Sequence, residues 1–289
     1  MMFDTTGNKF QAKREIFIFF ILLLCCSLTV WAGEEPDEES PAAQQSDAVA
    51  VTASKGGEAE IAKGDKDKGE KLSSGQLHRF KPYIANFDVS YNGVKVGEMK
   101  QQLTELRAGR QTLQTKAHTT GLVSWFKDDV VTERSIWQEE DGLRKPLSYT
   151  YRYTGSSKEV FERIEFDWEK GEASSLRDDK TTLLEVERGT LDKHMIQIVL
   201  RDSLFQGGKH YSYPVADRSK LKQYEFELVG SGVVESEKLG RLECLKVRRD
   251  DTLFWVAHKY DYLPVLIEQF DGDTTISSEI TSYRSLAGG

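Results

Sequence analysis

From Tyr83 onward apolar residues recur at every second position, and that period commits the chain to β-strands. In YIANFDVSY (83–91), Tyr83, Ala85, Phe87, Val89 and Tyr91 share one face, while Asn86, Asp88 and Ser90 share the other. Asn92-Gly93 follows, a pair that tolerates positive φ and so marks a tight hairpin. In VKVGEMKQQLTEL (94–106), Val94 and Val96 are in phase but Met99 and Leu103 are not, so a bulge at Gly97 is expected to reset the register. The alternation returns in Leu147, Tyr149, Tyr151 and Tyr153, in Ile164, Phe166 and Trp168, and in Tyr224, Phe226 and Leu228. About a dozen such runs, joined by short polar turns, read as a mainly β fold: a curved antiparallel sheet, or a partly closed β-barrel or sandwich. No strand–helix–strand rhythm appears, which excludes a parallel α/β sheet.

One segment breaks the period. TLDKHMIQIVLRDSLF (190–205) places Leu191, Met195, Ile198, Val199 and Phe205 at helical spacing, with Asp192 as N-cap and Gly207-Gly208 as the stop. A helix with so wide an apolar stripe is expected to pack across a sheet face or plug a barrel mouth. His194, in its first turn, is expected at the surface or partly buried. A second, shorter helical turn is expected around GLVSWFKDD (121–129).

The N-terminal third differs in composition. Lys9, Lys13 and Arg14 precede the apolar run IFIFFILLLCCSLTVWA (16–32), and Val30 and Ala32 occupy the small-residue positions of a cleavage site before Gly33. Residues 1–32 therefore read as an export signal, and the chain as periplasmic or secreted. The run has 17 residues, just under the ~20 that span a bilayer comfortably. Retention of 16–32 as an inner-membrane anchor is the alternative, and no membrane span is expected once the signal is cleaved. Lipidation at Cys25 or Cys26 is disfavoured by the residues before them, Leu24 and Cys25. Cleavage would leave Cys244 alone, so no intramolecular disulfide; in RLECLKV (241–247) it reads as a small buried apolar residue. Residues 33–79 read as a disordered, charged linker, since 33–76 contain no aromatic residue and cannot offset the entropy of ordering. The β-domain is expected over 80–289. A net charge of −8 argues against nucleic acid as a partner, because phosphate neutralisation needs a basic face.

The stretch LFWVAHKYDYLPVLIEQFDGD (253–273) concentrates reactive residue types. A hydrolase would need His258 held by Asp261 and aimed at a nucleophile, yet no GxSxG or HExxH setting accompanies them. The hairpin reading is simpler: LFWVAH is one strand, KYDY the turn, LPVLIEQF the next strand with Pro264 near its start, and DGD a second turn. Trp255 and Tyr262 are then core or edge aromatics. His78, His118, His194, His210 and His258 never fall at HxH or HxxxH spacing, so no metal site is expected. Glu165 and Asp167 share a strand face, but paired acids for glycoside hydrolysis come from separate elements, so a solvated face is expected. No catalytic residue, cofactor or metal ligand is assigned.

Taken in order, YNGVKVGEM, GLVSWF, RKPLSYTYRY, FDWEKGEA, TLDKHMIQIVLRD, LGRLECLKVRRD and FWVAHKYDYLPVLIE resemble an uncharacterised family of exported bacterial proteins, domain of unknown function 3108, from about Tyr83 to Leu286. The resemblance implies a mainly antiparallel β domain and transfers no catalytic residue. By fold-level analogy it implies a cavity for a lipid or acyl chain.

Three expectations follow. The first is a non-catalytic envelope protein binding a lipid or other apolar ligand in the curve of its sheet, with Tyr149, Tyr151, Phe166 and Trp255 as lining residues. The second is an interaction module, tethered by the linker, that meets an envelope protein partner through a sheet edge or the helix. The third, a hydrolase, ranks well behind. An enlarged apolar cavity would favour the first, and a filled interior the second.

Overall fold

A computed structural model describes residues 77–121, 124, 128–155 and 159–286. The expected export signal (1–32), nearly all of the expected linker and most of the turn around 121–129 lie outside these residues. Fifteen described strands form one sheet: β1 (Tyr83–Tyr91), β2 (Val94–Glu105), β3 (Arg110–Thr119), β4 (Val130–Glu140), β5 (Leu143–Thr154), β6 (Glu159–Asp167), β7 (Glu172–Arg177), β8 (Lys180–Glu185), β9 (Leu191–Asp192), β10 (His210–Asp217), β11 (Lys220–Ser236), β12 (Gly240–Arg249), β13 (Thr252–Ala257), β14 (Leu263–Asp271) and β15 (Thr274–Ser285). One helix, α1 (Ile196–Gln206), joins β9 to β10. The sheet is curved and unclosed, the first of the forms that the alternation left open.

Its topology is a meander cut once. β1 to β8 run in chain order to one margin, β15 back to β9 run to the other, and β1 pairs with β15 in the middle. Every pair is antiparallel except β9 with β10. The sheet rolls up so that its β10 margin rests on the concave face of the opposite wing. There Ala216 packs among Tyr149, Tyr151, Ile164, Ala173 and Leu184. Side chains hold this seam: Ser175 Oγ lies 3.1 Å from Ser219 Oγ, and the Arg218 N–H donates to Glu162 Oε1. The convex rows carry Lys100, Lys116, Arg134, Arg152 and Arg163, all exposed, which suits water rather than lipid.

The local signals act as expected. Asn92 and Gly93 take φ of 47° and 79° in the β1–β2 turn. The β1–β2 register shifts between Val89 and Ser90, where Val89 faces Gly97 and Ser90 faces Lys95, so Val96 is the bulged residue and the apolar phase resets there. Gly97 is needed for a second reason: a Cβ on it would stand 2.7 Å from the His118 carbonyl oxygen on β3. Gly97→Ala is therefore expected to lower stability by roughly 1–3 kcal/mol, through strain against backbone that cannot yield. A lowered urea midpoint at unchanged slope would show it, and an unchanged midpoint would contradict it.

The helix departs from the sequence reading at its start. Leu191 and Asp192 do not begin it; they pair with Val215 and Ala216 as β9. Asp192 still caps a turn, its Oδ1 accepting the N–H groups of His194 and Met195 at 2.9 and 2.8 Å, but this turn precedes the helix. Gly207 and Gly208, with φ of 85° and 125°, end α1 where expected. Burial runs around α1, through Ile196, Ile198, Leu200, Arg201, Asp202 and Leu204, because the sheet curls about it instead of lying against one stripe.

Candidate functional site

Where the sheet closes on α1, the described residues leave little empty space. Between α1 and the sheet a cavity of about 30 Å³ remains, lined by Phe87, Met99, Leu200 and Phe254 together with Lys193 and Arg201. That holds one or two waters. Arg201 is anchored to neutral acceptors: Nε donates to the Asp261 carbonyl at 2.7 Å, and the guanidinium stacks 4.1 Å from the centre of the Phe80 ring.

Three of the four expected lining residues share one wing. Tyr149 and Tyr151 point inward, with the Lys193 ammonium 5.3 and 5.0 Å from their ring centres, and Tyr149 Oη donates to Glu133 Oε1 at 2.5 Å. Phe166 packs half-buried against the same cluster and stacks on Trp168. Trp255 is elsewhere. It alternates with the buried Phe254 and Val256, so it faces the convex side, where Nε1 donates to Glu268 at 2.7 Å and Lys246 lies 4.0 Å from a ring centre. The four do not form one site.

The densest chemistry lies around the turn Asp192–Met195, which brings together charged and polar residues that sequence alternation assigns to no site. His194 is fully buried, not at the surface, because its turn lies inside the roll. Its ring sits between two hydroxyls, Nε2 2.8 Å from Thr115 Oγ1 and Nδ1 3.2 Å from Ser135 Oγ. Ser135 in turn donates to Asp192 Oδ1 at 2.6 Å. Ser, His and Asp thus meet, but wired against nucleophilic catalysis. The serine proton goes to the aspartate, so the serine oxygen receives the Nδ1–H and Thr115 donates to Nε2. Burial pushes the Asp192 carboxyl up to about 6, against the hydrogen bonds it accepts, and the same burial lowers His194. Asp192 Oδ2 is buried without a hydrogen-bond partner among the described residues. Next to it, Lys193 reaches Glu162 at 3.4 Å and Asp217 at 3.6 Å, all three buried. Burial works to raise Asp217, but the Lys193 and Lys222 ammonium groups outweigh it and hold its carboxyl low.

A second polar knot fastens α1 at its other end. Arg144 is buried on β5 because the β4–β5 register shifts between Ile136 and Trp137, bulging Leu147 and turning Arg144 and Pro146 inward with Tyr149. Its Nε and Nη2 clasp both oxygens of Asp202 at 2.6 and 3.2 Å, and Nη1 reaches Gln111 and Glu139. The chain enters the domain here: the His78 N–H donates to Asp202, its carbonyl accepts from Arg144, and its ring stacks on Phe205 at 4.0 Å. The residues just before Phe80, which composition assigns to the linker, are thus part of the packed domain.

His258 and Asp261 do not act together. The carboxylate of Asp261 faces His78 at 3.6 Å, and that contact holds it below the usual range. His258 is exposed and edge-on to Tyr262. An open groove of about 370 Å³ has both His258 and Cys244 on its wall. Burial raises the Cys244 thiol to about 11 and its S–H points at the Leu242 carbonyl, so it is no thiolate. Lys170 pairs with Asp167 at 2.6 Å, and Arg163 with Glu165, all on the solvated side. Among the described residues no three of His, Cys, Asp and Glu converge as a metal site, and no helix is long and apolar enough to cross a membrane.

Of the buried charges, Glu133 and Glu162 had a legible signal: each sits in the apolar phase of its strand, between Val131 and Ser135 and between Val160 and Ile164. Arg144 and Asp202 had none.

No curated protein matches the sequence. Among solved structures, the fold is similar to a β-barrel-like protein of domain of unknown function DUF1849 from Brucella abortus, at 12% identity and a TM-score of 0.49 over 72% of this chain and 98% of that one. A candidate lipoprotein from Parabacteroides distasonis is similar over 73% of this chain and 98% of its own, at 9% identity and a TM-score of 0.29. The model of one family, described as protein of unknown function (DUF3108), matches residues 86–281, most of the rolled sheet and all of the helix it encloses. The chain belongs to the DUF3108 family.

Proposed function

We propose that this protein is a non-catalytic component of the bacterial envelope that works by protein contact, a rolled β-domain presented on a charged tether. One observation carries the reading: the space between α1 and the sheet, where a ligand held in the curve would sit, is filled. A void of about 30 Å³ stands where a ligand site would need ~300–1,000 Å³. The residue types that could serve chemistry, Ser135, His194, Asp192 and Lys193, are sealed in the packed interior and bonded mainly to one another and to neighbouring strands, which supports a structural role for them. The export signal and charged linker read from sequence support a location outside the cytoplasm.

The test is native mass spectrometry of the protein purified from its own host's envelope, with organic extraction. A bare polypeptide mass is expected. A lipid or acyl compound recovered at one equivalent per chain would overturn the reading, and would mean that α1 moves aside to admit it.

A further inference from the structure

We infer that the contact surface is the free edge of β8, and that it pairs with β8 of a second copy of this chain about a two-fold axis through Leu183. This rests on the interaction reading above and names its partner. The two margins of the sheet differ. β9 is two residues long and tucked against the opposite wing, whereas β8 is the terminal strand of the sheet and pairs only with β7 among the described residues. The direction of its hydrogen bonds follows from one contact. The Val186 N–H donates to Gly171 O at 2.8 Å, so by alternation Leu184, Thr182 and Lys180 bond inward to β7. Thr181, Leu183 and Glu185 then direct their N–H and C=O groups outward, at the free edge.

These three are symmetric about Leu183. In an antiparallel two-fold pair, Leu183 meets Leu183 of the second copy, and Thr181 meets Glu185 in both directions. All three are hydrogen-bonded positions, giving roughly six new backbone bonds. On the convex face this covers Leu183, which is 66% exposed, with its own mate. On the concave face Thr182 stands opposite Leu184. No like charges are opposed between Thr181 and Glu185. A two-fold pair uses up the β8 edge of both copies, so the contact closes on itself and does not propagate. An edge of six residues buries less than the ~1,000 Å² of a stable interface. The pair is therefore weak between free chains and is strengthened where chains are held side by side, as on a shared anchor.

The experiment is site-specific photo-cross-linking of the full chain in its own host, with Glu185 replaced by p-benzoylphenylalanine. The expected product has twice the chain mass, with the cross-link landing near Thr181 of the other copy. Thr181→Pro removes an outward donor and spares the ladder to β7, and Leu183→Glu sets two carboxylates across the axis. Either is expected to cut the dimer yield at least about fivefold while the thermal midpoint moves by no more than ~2 °C. Dimer yield indifferent to both variants would overturn the strand pairing. A cross-link within a single chain would show that another part of the same chain covers the edge, and would also overturn it. An adduct with a different protein would overturn self-pairing but leave the interaction reading standing. No adduct at any mass would sink both.

Discussion

Arg144→Ala is expected to be among the most damaging single changes in this domain, lowering stability by roughly 3–5 kcal/mol. The side chain is 1% exposed and joins α1, β3, β4 and the entering chain. It clasps Asp202 on α1, donates to Gln111 and Glu139, and donates to the His78 carbonyl of the entering chain. Alanine would leave the Asp202 carboxylate, 4% exposed, facing only the His78 N–H. Most of the loss is the penalty of that stranded charge, not the worth of the pair. The argument is checked by the double variant Arg144→Met, Asp202→Leu, which removes both charges and is expected to recover a large part of the loss. For a domain of this size the single variant's thermal midpoint should fall on the order of 10 °C. A double variant no better than the single one would mean that Arg144 acts through packing against Phe80, over which it lies at 5.2 Å, and not through charge.

The contrast between Arg144 and its neighbours shows how far the sequence carries. Period-two alternation identified the strands, the inner rows of Tyr149, Tyr151 and Ile164, the Asn92-Gly93 hairpin and the bulge beside Gly97, because each depends on residues within one hairpin. The same parity separates Trp255 from Phe254 and Val256, so its place on the convex face was legible, although aromatic character alone suggested an inner lining. The buried charges were not legible in the same way. Alternation treats a charge as outward, yet Glu133 and Glu162 lie in the inward phase and depend on partners from other elements, Tyr149 for one and Lys193 for the other. Arg144 is turned inward only by the bulge at Leu147, which Pro146 beside it signals without fixing which side chains turn inward, and its partner Asp202 is 58 residues away. The start of α1 shows a related limit. Leu191 fits a helical stripe as well as a strand, and the pairing of β9 with β10, a tertiary event, decided it.

Asp192→Asn is expected to change the pH dependence of stability more than stability itself. Burial raises Asp192 to about 6, from about 3.8 in the unfolded chain. Between those values the folded state holds a proton that the unfolded state has lost, so the stabilising contribution is full below pH ~4 and is lost as pH rises toward 6. The span corresponds to roughly 3 kcal/mol. His194 runs the other way. Its pKa is lowered by burial below the usual 6.5, so the unfolded state takes up a proton first, and stability is lost as pH falls below 6.5. Glu133, close enough to raise Asp192, and Lys193, which helps to depress His194, set the field around both groups. In the native protein the two slopes oppose each other in the mildly acidic range. Asparagine keeps an oxygen for the Ser135, His194 and Met195 donors and abolishes the Asp192 titration. The His194 slope is then uncompensated, and the variant should lose stability between pH 6.5 and 5 more steeply than the native protein, while staying within about 1 kcal/mol of it at pH 7.5. Urea unfolding at pH 5, 6 and 7.5 measures this directly. Parallel pH profiles for the two proteins would show that Asp192 does not titrate in this range.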